Sequence, residues 1–226
     1  MEDICTITEE ILDTEYHAAR GNWKVVYEKD RSTACVDQLN RKIIFPGNRN
    51  IPYYTRDSLI KLIIHEVGVH LLRELPFDQL EIDPIRTGLR RYEACEEGIA
   101  TTLSEAVTDT FSTPGLIHYV SISLAFFYGL TFREIYEIQK RLQFLAWGTL
   151  SGRSFDSVNR ALRGTYALPN CKDLAYYNGS FQVRKYIAEH IDDSDLFDQL
   201  LGSGKIDLFN PDQRAVMMSV KEQIVI

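Results

Sequence analysis

Two short apolar runs near the start of the chain have the composition of β-strands. Residues 23–27 (Trp-Lys-Val-Val-Tyr) and 42–45 (Lys-Ile-Ile-Phe) are rich in β-branched and aromatic side chains, and the second run ends at a Pro-Gly turn signal. We expect them to pair as a small antiparallel sheet within about residues 20–50. The first 20 residues favour a helix instead, with Thr8 and the two glutamates after it as an N-terminal signal.

From Arg56 onward the apolar residues recur at helical spacing. The first helix of this part is predicted to run to about Leu75, with an apolar stripe at Leu59, Leu62, Ile63, Leu71 and Leu72. Residues 116–127 predict a buried helix, and Tyr119, Phe126, Phe127 and Tyr128 are expected to lie in the core. Residues 131–134 have the pattern of a capping box. Further helices are expected at residues 91–111, 131–144, 154–162 and 173–191 and after Pro211, with a short strand at 205–209. The pattern therefore predicts a single α+β domain over residues 1–226, mostly helical, with a small N-terminal sheet and a helical C-terminal part.

Composition narrows the class of protein without selecting a function. The chain has 226 residues, 45% of them hydrophobic and 25% charged, which is ordinary for a folded domain and excludes a disordered chain. Lysine plus arginine number 25 and aspartate plus glutamate 32, and the resulting net charge of −7 argues against nucleic acid as a partner. No apolar run is long enough to span a membrane and the acidic N-terminus does not resemble a secretory signal, so we expect a cytoplasmic protein. Its four cysteines are then expected to be free thiols, with Cys95 packed in the core.

The strongest chemical signal lies in the segment His65-Glu66-Val67-Gly68-Val69-His70, in the middle of the first long helix. Two histidines that flank a glutamate on a helix are typical of a zinc peptidase. The imidazoles bind the metal, and the glutamate takes a proton from the metal-bound water. The alternative is a helix that carries two unrelated histidines.

The spacing of the two histidines imposes a condition on that helix. Ligands four residues apart share a face, because four residues turn about 400° on a regular α-helix. His65 and His70 are five residues apart, which corresponds to about 500°, so their rings would point about 140° away from each other. A π-bulge supplies one extra residue in a turn, and Gly68 lowers the local preference for a regular α-helix. The metal-binding hypothesis therefore predicts a π-bulge between His65 and His70.

A catalytic zinc ion held by two histidines needs a third protein ligand. Glu97 is the best candidate, because Gly98 and other small residues around it permit a close approach to the histidine helix. The alternative is that Glu93, Glu96 and Glu97 form a solvated acidic face, which is common for such a cluster.

Taken together, the His-Glu-x-x-x-His segment and Glu96-Glu97-Gly98-Ile99-Ala100 resemble the metallopeptidase family that includes the microtubule-associated tyrosine carboxypeptidases. The resemblance implies a zincin-like metallopeptidase with one zinc ion bound by His65, His70 and Glu97, and with Glu66 as the catalytic acid and base. The family pattern has glutamine at the position of Glu96 and leucine at that of Ile99. Further similar segments lie at residues 160–164, at 172–176 followed by Gly179, and at 201–208, so the likeness spans roughly residues 41–208.

A carboxypeptidase must recognise the free C-terminal carboxylate of its substrate. Arginine suits this role because its planar fork binds a carboxylate in a bidentate way. Arg163 is the first candidate, followed by Arg160, Lys172 and Tyr176, and a solvated pair on one helix is the alternative for the two arginines. Tyr176 also suits the stabilisation of an oxyanion, and the sheet edge at residues 42–45 suits an extended peptide. The other histidines are expected to have structural roles: His17, His118 and His190.

The sequence thus predicts a zinc-dependent metallopeptidase, a carboxypeptidase that removes one or more C-terminal residues from a protein or peptide tail. Tyrosine as the residue removed follows from the family resemblance alone. Two alternatives stay open. One is a zinc endopeptidase that acts as an effector or toxin, and the other is a non-catalytic module of the same fold that binds a peptide tail.

Overall fold

The computed structural model describes residues 2–16, 21–31, 33–47, 55–77, 87–110, 115–148, 153–163 and 169–224, and most of them are helical. The α-helices in chain order are α1 (Glu2–Thr14), α2 (Arg56–Ile63), α3 (Tyr92–Val107), α4 (Leu116–Tyr128), α5 (Phe132–Trp147), α6 (Arg153–Leu162), α7 (Leu174–Glu189), α8 (Leu196–Leu201) and α9 (Pro211–Ile224). The strands are β1 (Lys24–Glu28), β2 (Cys35–Asp37) and β3 (Lys42–Pro46). The prediction of a mostly helical chain with a small N-terminal sheet is confirmed.

The three strands form a mixed sheet in the order β1-β3-β2. β1 runs parallel to β3, with Val25 opposite Ile43, whereas β2 pairs with β3 in antiparallel fashion, with Cys35 opposite Ile44. The prediction of an antiparallel sheet is therefore wrong for the two strands that the sequence identified. A parallel pair needs a connection of about a dozen residues or more, and residues 29–41 provide it by forming the short strand β2 on the way.

This strand order also moves the edge of the sheet. β3 lies between β1 and β2, so the free edge predicted at residues 42–45 is wrong. β2, three residues long, lies at the edge instead.

The histidine motif lies on a continuous helical rod over residues 56–77, which we call the motif helix. It comprises α2, a π-helix at Ile64–Leu71, an α-helical turn at Leu72–Glu74 and a 3₁₀ turn at Leu75–Phe77. At the end of the π-helix the N–H of Leu72 donates to the carbonyl oxygen of Val67, five residues earlier. The predicted π-bulge is confirmed, and the π-helical stretch extends over eight residues.

The motif helix is packed between two apolar clusters. Val67 and Leu71 are buried against the sheet and α1, in a cluster that includes Trp23 and Phe45. Val69, on another face, belongs to a second cluster with residues of α3, α7, α8 and α9. The π-helix is thus held from two sides, which fixes the direction of the side chains between those faces.

α3 and α7 touch at the level of the backbone. A Cβ atom on Gly98 would collide with the backbone of Gly179, and one on Gly179 would collide with the carbonyl group of Ala94. Only residues without a side chain permit this approach. The sequence predicted that the small residues around Glu97 face the motif helix. Gly98 packs against α7 instead. This approach of the two helices places Tyr176 of α7 next to Glu97.

Arg73, which is fully buried, ties the motif helix to the chain that follows α8. Its guanidinium group donates to four acceptors, the carbonyl oxygens of Leu200, Gly204 and Ile206 and the hydroxyl group of Ser203. These bonds offset the cost of burying its charge. The strand predicted at residues 205–209 is wrong, because this segment has a turn-rich conformation.

Two further predictions about the helices are wrong, while the capping box is confirmed. Thr8 lies inside α1, and its buried hydroxyl group donates to the carbonyl oxygen of Ile4 at 2.7 Å. The C-terminal end of α4 is not in the core, since Phe126, Phe127 and Tyr128 are 59%, 73% and 74% exposed. The apolar composition of this segment predicted burial, but burial also requires another segment of the chain to pack against these side chains.

Residues 131–134 form the capping box at the start of α5, as predicted.

No helix in the described part of the chain combines the length and the apolar character that crossing a membrane requires.

The contact between α3 and α7 predicts a strong effect of one added methyl group. We expect Gly98→Ala to lower the free energy of unfolding by roughly 3 kcal/mol or more, because its Cβ meets backbone atoms that cannot rotate away. Thermal unfolding followed by circular dichroism should show a melting temperature lower by roughly 6–12 °C. Gly68→Ala is the matched control, since its Cβ meets only the Ile64 side chain at 3.7 Å, and it should change stability by no more than about 1 kcal/mol. Equal stability of the Gly98→Ala protein and the parent would contradict the backbone contact.

Candidate active site

Three side chains from the motif helix and α3 converge in a cleft. His65 and His70 come from the π-helix and Glu97 from α3, and one ligand atom of each lies within 4.8 Å of the others. Glu97 Oε2 is 3.3 Å from His65 Nε2 and 3.8 Å from His70 Nε2. The structure therefore brings together the three side chains that the sequence proposed as metal ligands.

The π-helix accounts for the shared direction of the two histidines. It has about 4.4 residues per turn, so five residues turn about 410° instead of the roughly 500° of an α-helix. The rings of His65 and His70 consequently lie side by side, with centroids 4.8 Å apart.

The donor set fits a zinc ion. Zn²⁺ takes imidazole nitrogen and carboxylate oxygen at about 2.0–2.2 Å in a tetrahedral arrangement, which places neighbouring donor atoms about 3.4 Å apart. The separations of 3.3 and 3.8 Å around Glu97 Oε2 are close to this value. Glu97 Oε2 is also buried and makes no hydrogen bond within the described residues. A bound cation would satisfy this oxygen and both imidazoles at once.

His70 is oriented from behind by Glu96. The Nδ1 atom of His70 lies 2.5 Å from Glu96 Oε1, so its Nε2 atom is the one that faces Glu97. Burial by itself would raise the pKa of Glu96, but the hydrogen bond with His70 and the charges of His70, Lys205 and Arg73 outweigh it and lower the pKa to about 2. Glu96 is therefore an ionised acceptor. It does not belong to a solvated acidic face, which was the alternative for this cluster.

Glu66, the proposed acid and base, lines the same cleft. It is 6% exposed. Burial raises its pKa, and positive charge on His70 and His65 opposes this effect only in part. A carboxyl group whose pKa is raised towards neutrality can both take up and return a proton.

The cleft around these residues has a volume of about 670 Å³. One part of its lining is formed by Arg31 and residues 33–39, which include the edge strand β2. Another part comes from the end of α6 and the start of α7. All of the site residues proposed from the sequence line it: His65, Glu66, His70, Glu97, Arg160, Arg163, Lys172 and Tyr176.

Arg160 is committed to an ion pair within the protein. Its Nε and Nη2 atoms each donate to one carboxylate oxygen of Asp173 at 2.7 Å. Asp173 is 1% exposed, and the hydrogen bond to it raises the pKa of Arg160. With two donors occupied, Arg160 fits a role in positioning α6 against α7 better than direct binding of a substrate carboxylate.

Arg163, Lys172 and Tyr176 present polar groups to the cleft. The side chains of Arg163 and Lys172 are exposed, and neither makes an ion pair within the described part of the chain. Burial, followed by the charge of Glu97, raises the pKa of Tyr176, so its hydroxyl group stays protonated and can donate a hydrogen bond. The two cations are available for an anionic group, and Tyr176 can donate a hydrogen bond close to Glu97.

Sequence reasoning did not identify several residues of the cleft, among them Tyr92 and Lys205, which lie close to Glu96. Lys205 is 3% exposed and lies 3.3 Å from Glu96 Oε1, and its ammonium group is 5.8 Å from the ring centre of Tyr92. The position of Tyr92 four residues before Glu96 on one helix was a usable signal. No local pattern identifies Lys205 as a neighbour of Glu96, because their contact spans 109 residues of sequence.

The remaining histidines and cysteines fit structural roles where the structure describes them. His190 stacks on Tyr186 with ring centres 4.1 Å apart, and His118 is half-buried, whereas His17 lies outside the described residues. All four cysteines are free thiols. Burial raises the pKa of Cys95 to about 11, which makes it a poor nucleophile and agrees with its predicted place in the core.

The sequence model of one family, described as microtubule-associated tyrosine carboxypeptidase, matches residues 18–220. A search of curated proteins finds no match. The family match extends beyond the roughly 41–208 over which the motifs indicated a likeness, and it includes the motif helix, α3 and the start of α7. The chain therefore belongs to the family of microtubule-associated tyrosine carboxypeptidases.

Proposed function

We propose that this protein is a zinc-dependent metallopeptidase of zincin-like fold, which acts as a carboxypeptidase on the C-terminal tail of a protein or peptide. Membership of the family supports the carboxypeptidase reaction. The observation that carries the metal-dependent mechanism is the convergence of His65, His70 and Glu97. Tyrosine as the residue removed, and a tubulin tail as the chain that carries it, are favoured by the family description alone.

In this proposal His65, His70 and Glu97 hold one zinc ion. When bound, the ion would act as a Lewis acid that polarises the scissile carbonyl group and lowers the pKa of a water molecule. Glu66 accepts a proton from the attacking water and returns it to the leaving amine. Tyr176 donates a hydrogen bond to the carbonyl oxygen as negative charge develops there.

The basic side chains beside Tyr176 provide a site for the C-terminal carboxylate of the substrate. Arg163 and Lys172 are exposed in the cleft and form no ion pair among the described residues. Both side chains are therefore free to bind the carboxylate of a substrate. The sequence also proposed Arg160 for this role. Its ion pair with Asp173 instead fixes the end of α6 against the start of α7, the part of the cleft that carries Arg163 and Lys172.

The edge strand β2 provides backbone groups for the substrate chain. Residues 33–39 line the cleft, and β2 is paired only on its β3 side within the described sheet. An extended peptide can therefore add to this edge by main-chain hydrogen bonds, which assigns to β2 the role that the sequence placed at residues 42–45.

The metal ligands are tested by zinc content. We expect His65→Ala, His70→Ala and Glu97→Ala each to lose the single zinc ion of the parent, because a three-residue site cannot lose a ligand without a large fall in affinity. The measurement is metal analysis after dialysis against a weak chelator. His190→Ala, whose ring stacks on Tyr186, is the control and should keep the ion. Zinc bound equally tightly by all four variants and the parent would refute the ligand set.

The role of Glu66 is tested by separating metal binding from turnover. Glu66→Gln should retain zinc while kcat falls by about 10²- to 10⁴-fold, since the amide keeps the shape of the side chain but cannot accept the proton. Peptide hydrolysis and metal content are measured on the same sample. Turnover equal to that of the parent would rule out Glu66 as the base. If the parent itself shows no turnover on any peptide of a library while it binds one tightly, the non-catalytic alternative holds.

The recognition of a free carboxylate is tested with paired peptides that end in a carboxylate or an amide. We expect the parent to prefer the carboxylate by roughly 10- to 100-fold in kcat/KM, and Arg163→Met to lose most of that preference. Arg133→Met, which removes an arginine that is 81% exposed on α5, is the control and should retain it. Mass spectrometry of the products gives the cleavage site. Cleavage within both peptides, with no preference between them, would favour the endopeptidase instead.

A further inference from the structure

Glu96 precedes the proposed ligand Glu97 on α3 and contacts the ring of His70. We propose that Glu96 is a positioning residue of the metal centre in this chain. Its carboxylate holds the ring of His70 with Nε2 turned towards Glu97, and Lys205 and Arg73 hold the carboxylate in turn. This inference rests on the proposed function, because it concerns the same three ligands.

The first step is the contact between Glu96 and His70. An imidazole ring has two nitrogens, and His70 engages Nδ1 with Glu96 Oε1 at 2.5 Å while Nε2 lies 3.8 Å from Glu97 Oε2. A carboxylate only accepts hydrogen bonds, so the hydrogen must reside on Nδ1. The lone pair of a neutral His70 is then on Nε2, the atom that faces the ligand cluster.

The second step is the support of Glu96 itself. The Nζ atom of Lys205 lies 3.3 Å from Glu96 Oε1, and the Nε atom of Arg73 lies 3.8 Å from Glu96 Oε2. All three side chains are at most 3% exposed. Arg73 comes from the motif helix and Lys205 from the segment after α8, so two separate parts of the chain fix the carboxylate beneath His70.

The third step is the choice of glutamate over glutamine. If glutamine stood at this position with its oxygen towards His70 and Lys205, its NH₂ group would face Arg73 Nε, donor against donor. The buried charges of Arg73 and Lys205 would also lose a negative partner, which is costly away from water. The surroundings of residue 96 in this chain therefore require a carboxylate.

The test is the affinity of the metal-free protein for Zn²⁺, measured in competition with a chromophoric chelator. We expect Glu96→Gln to weaken zinc binding by about 10- to 100-fold, as is typical when a group that orients a histidine ligand is replaced. The same variant loaded with Co²⁺ should show an altered visible absorption spectrum, which reports the ligand geometry directly. Glu96→Ala should be weaker still, but the isosteric glutamine variant carries the test because it is the one more certain to fold.

Glu105→Gln is the matched control. Glu105 is a buried glutamate on the same helix, paired with Arg184, but it does not line the cleft. We expect this variant to lose thermal stability with unchanged zinc affinity and an unchanged Co²⁺ spectrum, since its effect is only structural.

The outcomes separate this inference from the proposed function. Zinc affinity and a Co²⁺ spectrum of Glu96→Gln equal to those of the parent, with His65→Ala still unable to bind zinc, would overturn the role of Glu96 alone. A parent protein that binds no zinc would overturn the proposed function and this inference with it. An equal loss of zinc affinity in Glu96→Gln and Glu105→Gln would assign the effect to general destabilisation and also overturn the inference.

Discussion

The π-helical hydrogen bonding of Ile64–Leu71 is the constraint on which the candidate site depends. In a regular α-helix, His65 and His70 would point in different directions, and no single ion could meet both. A π-helix is rare, and here its cost is offset by packing, since Val67, Val69 and Leu71 are buried in two apolar clusters. Burial of each such side chain contributes about 1.5–3 kcal/mol. The apolar residues of the motif thus stabilise the backbone that the polar ones require.

A second requirement is that buried charge be compensated. The motif helix carries Arg73 one turn after His70, and Arg73 finds its acceptors in the segment around Ser203–Ile206. Lys205, from the same segment, forms ion pairs with Glu96 and, at 3.4 Å, with Glu74. The segment after α8 therefore stabilises the charged side chains behind the site, although it contributes none of the proposed ligands.

The sequence predicted those features that depend on local spacing. The five-residue step between the histidines was sufficient to predict the π-helix, and the capping box fixed the start of α5. The parallel pairing of β1 and β3 was not predictable, because it depends on β2, a three-residue strand without an alternating pattern. The exposed end of α4 and the contact of Lys205 with Glu96 were missed for a related reason. Both depend on which distant segments meet in the folded chain.

The backbone contact between Gly98 and Gly179 has a consequence for the motion of the cleft. Two helices that touch without side chains between them have no rotamers to rearrange, so the wall built on α3 and α7 cannot yield when a substrate enters. The wall formed by β2 is held in the sheet by three residue pairs on one side only, and such a segment opens at low cost. Under the proposed function, accommodation of different peptide chains would therefore fall to the β2 wall, while Glu97 on α3 and Tyr176 on α7 keep a fixed spacing.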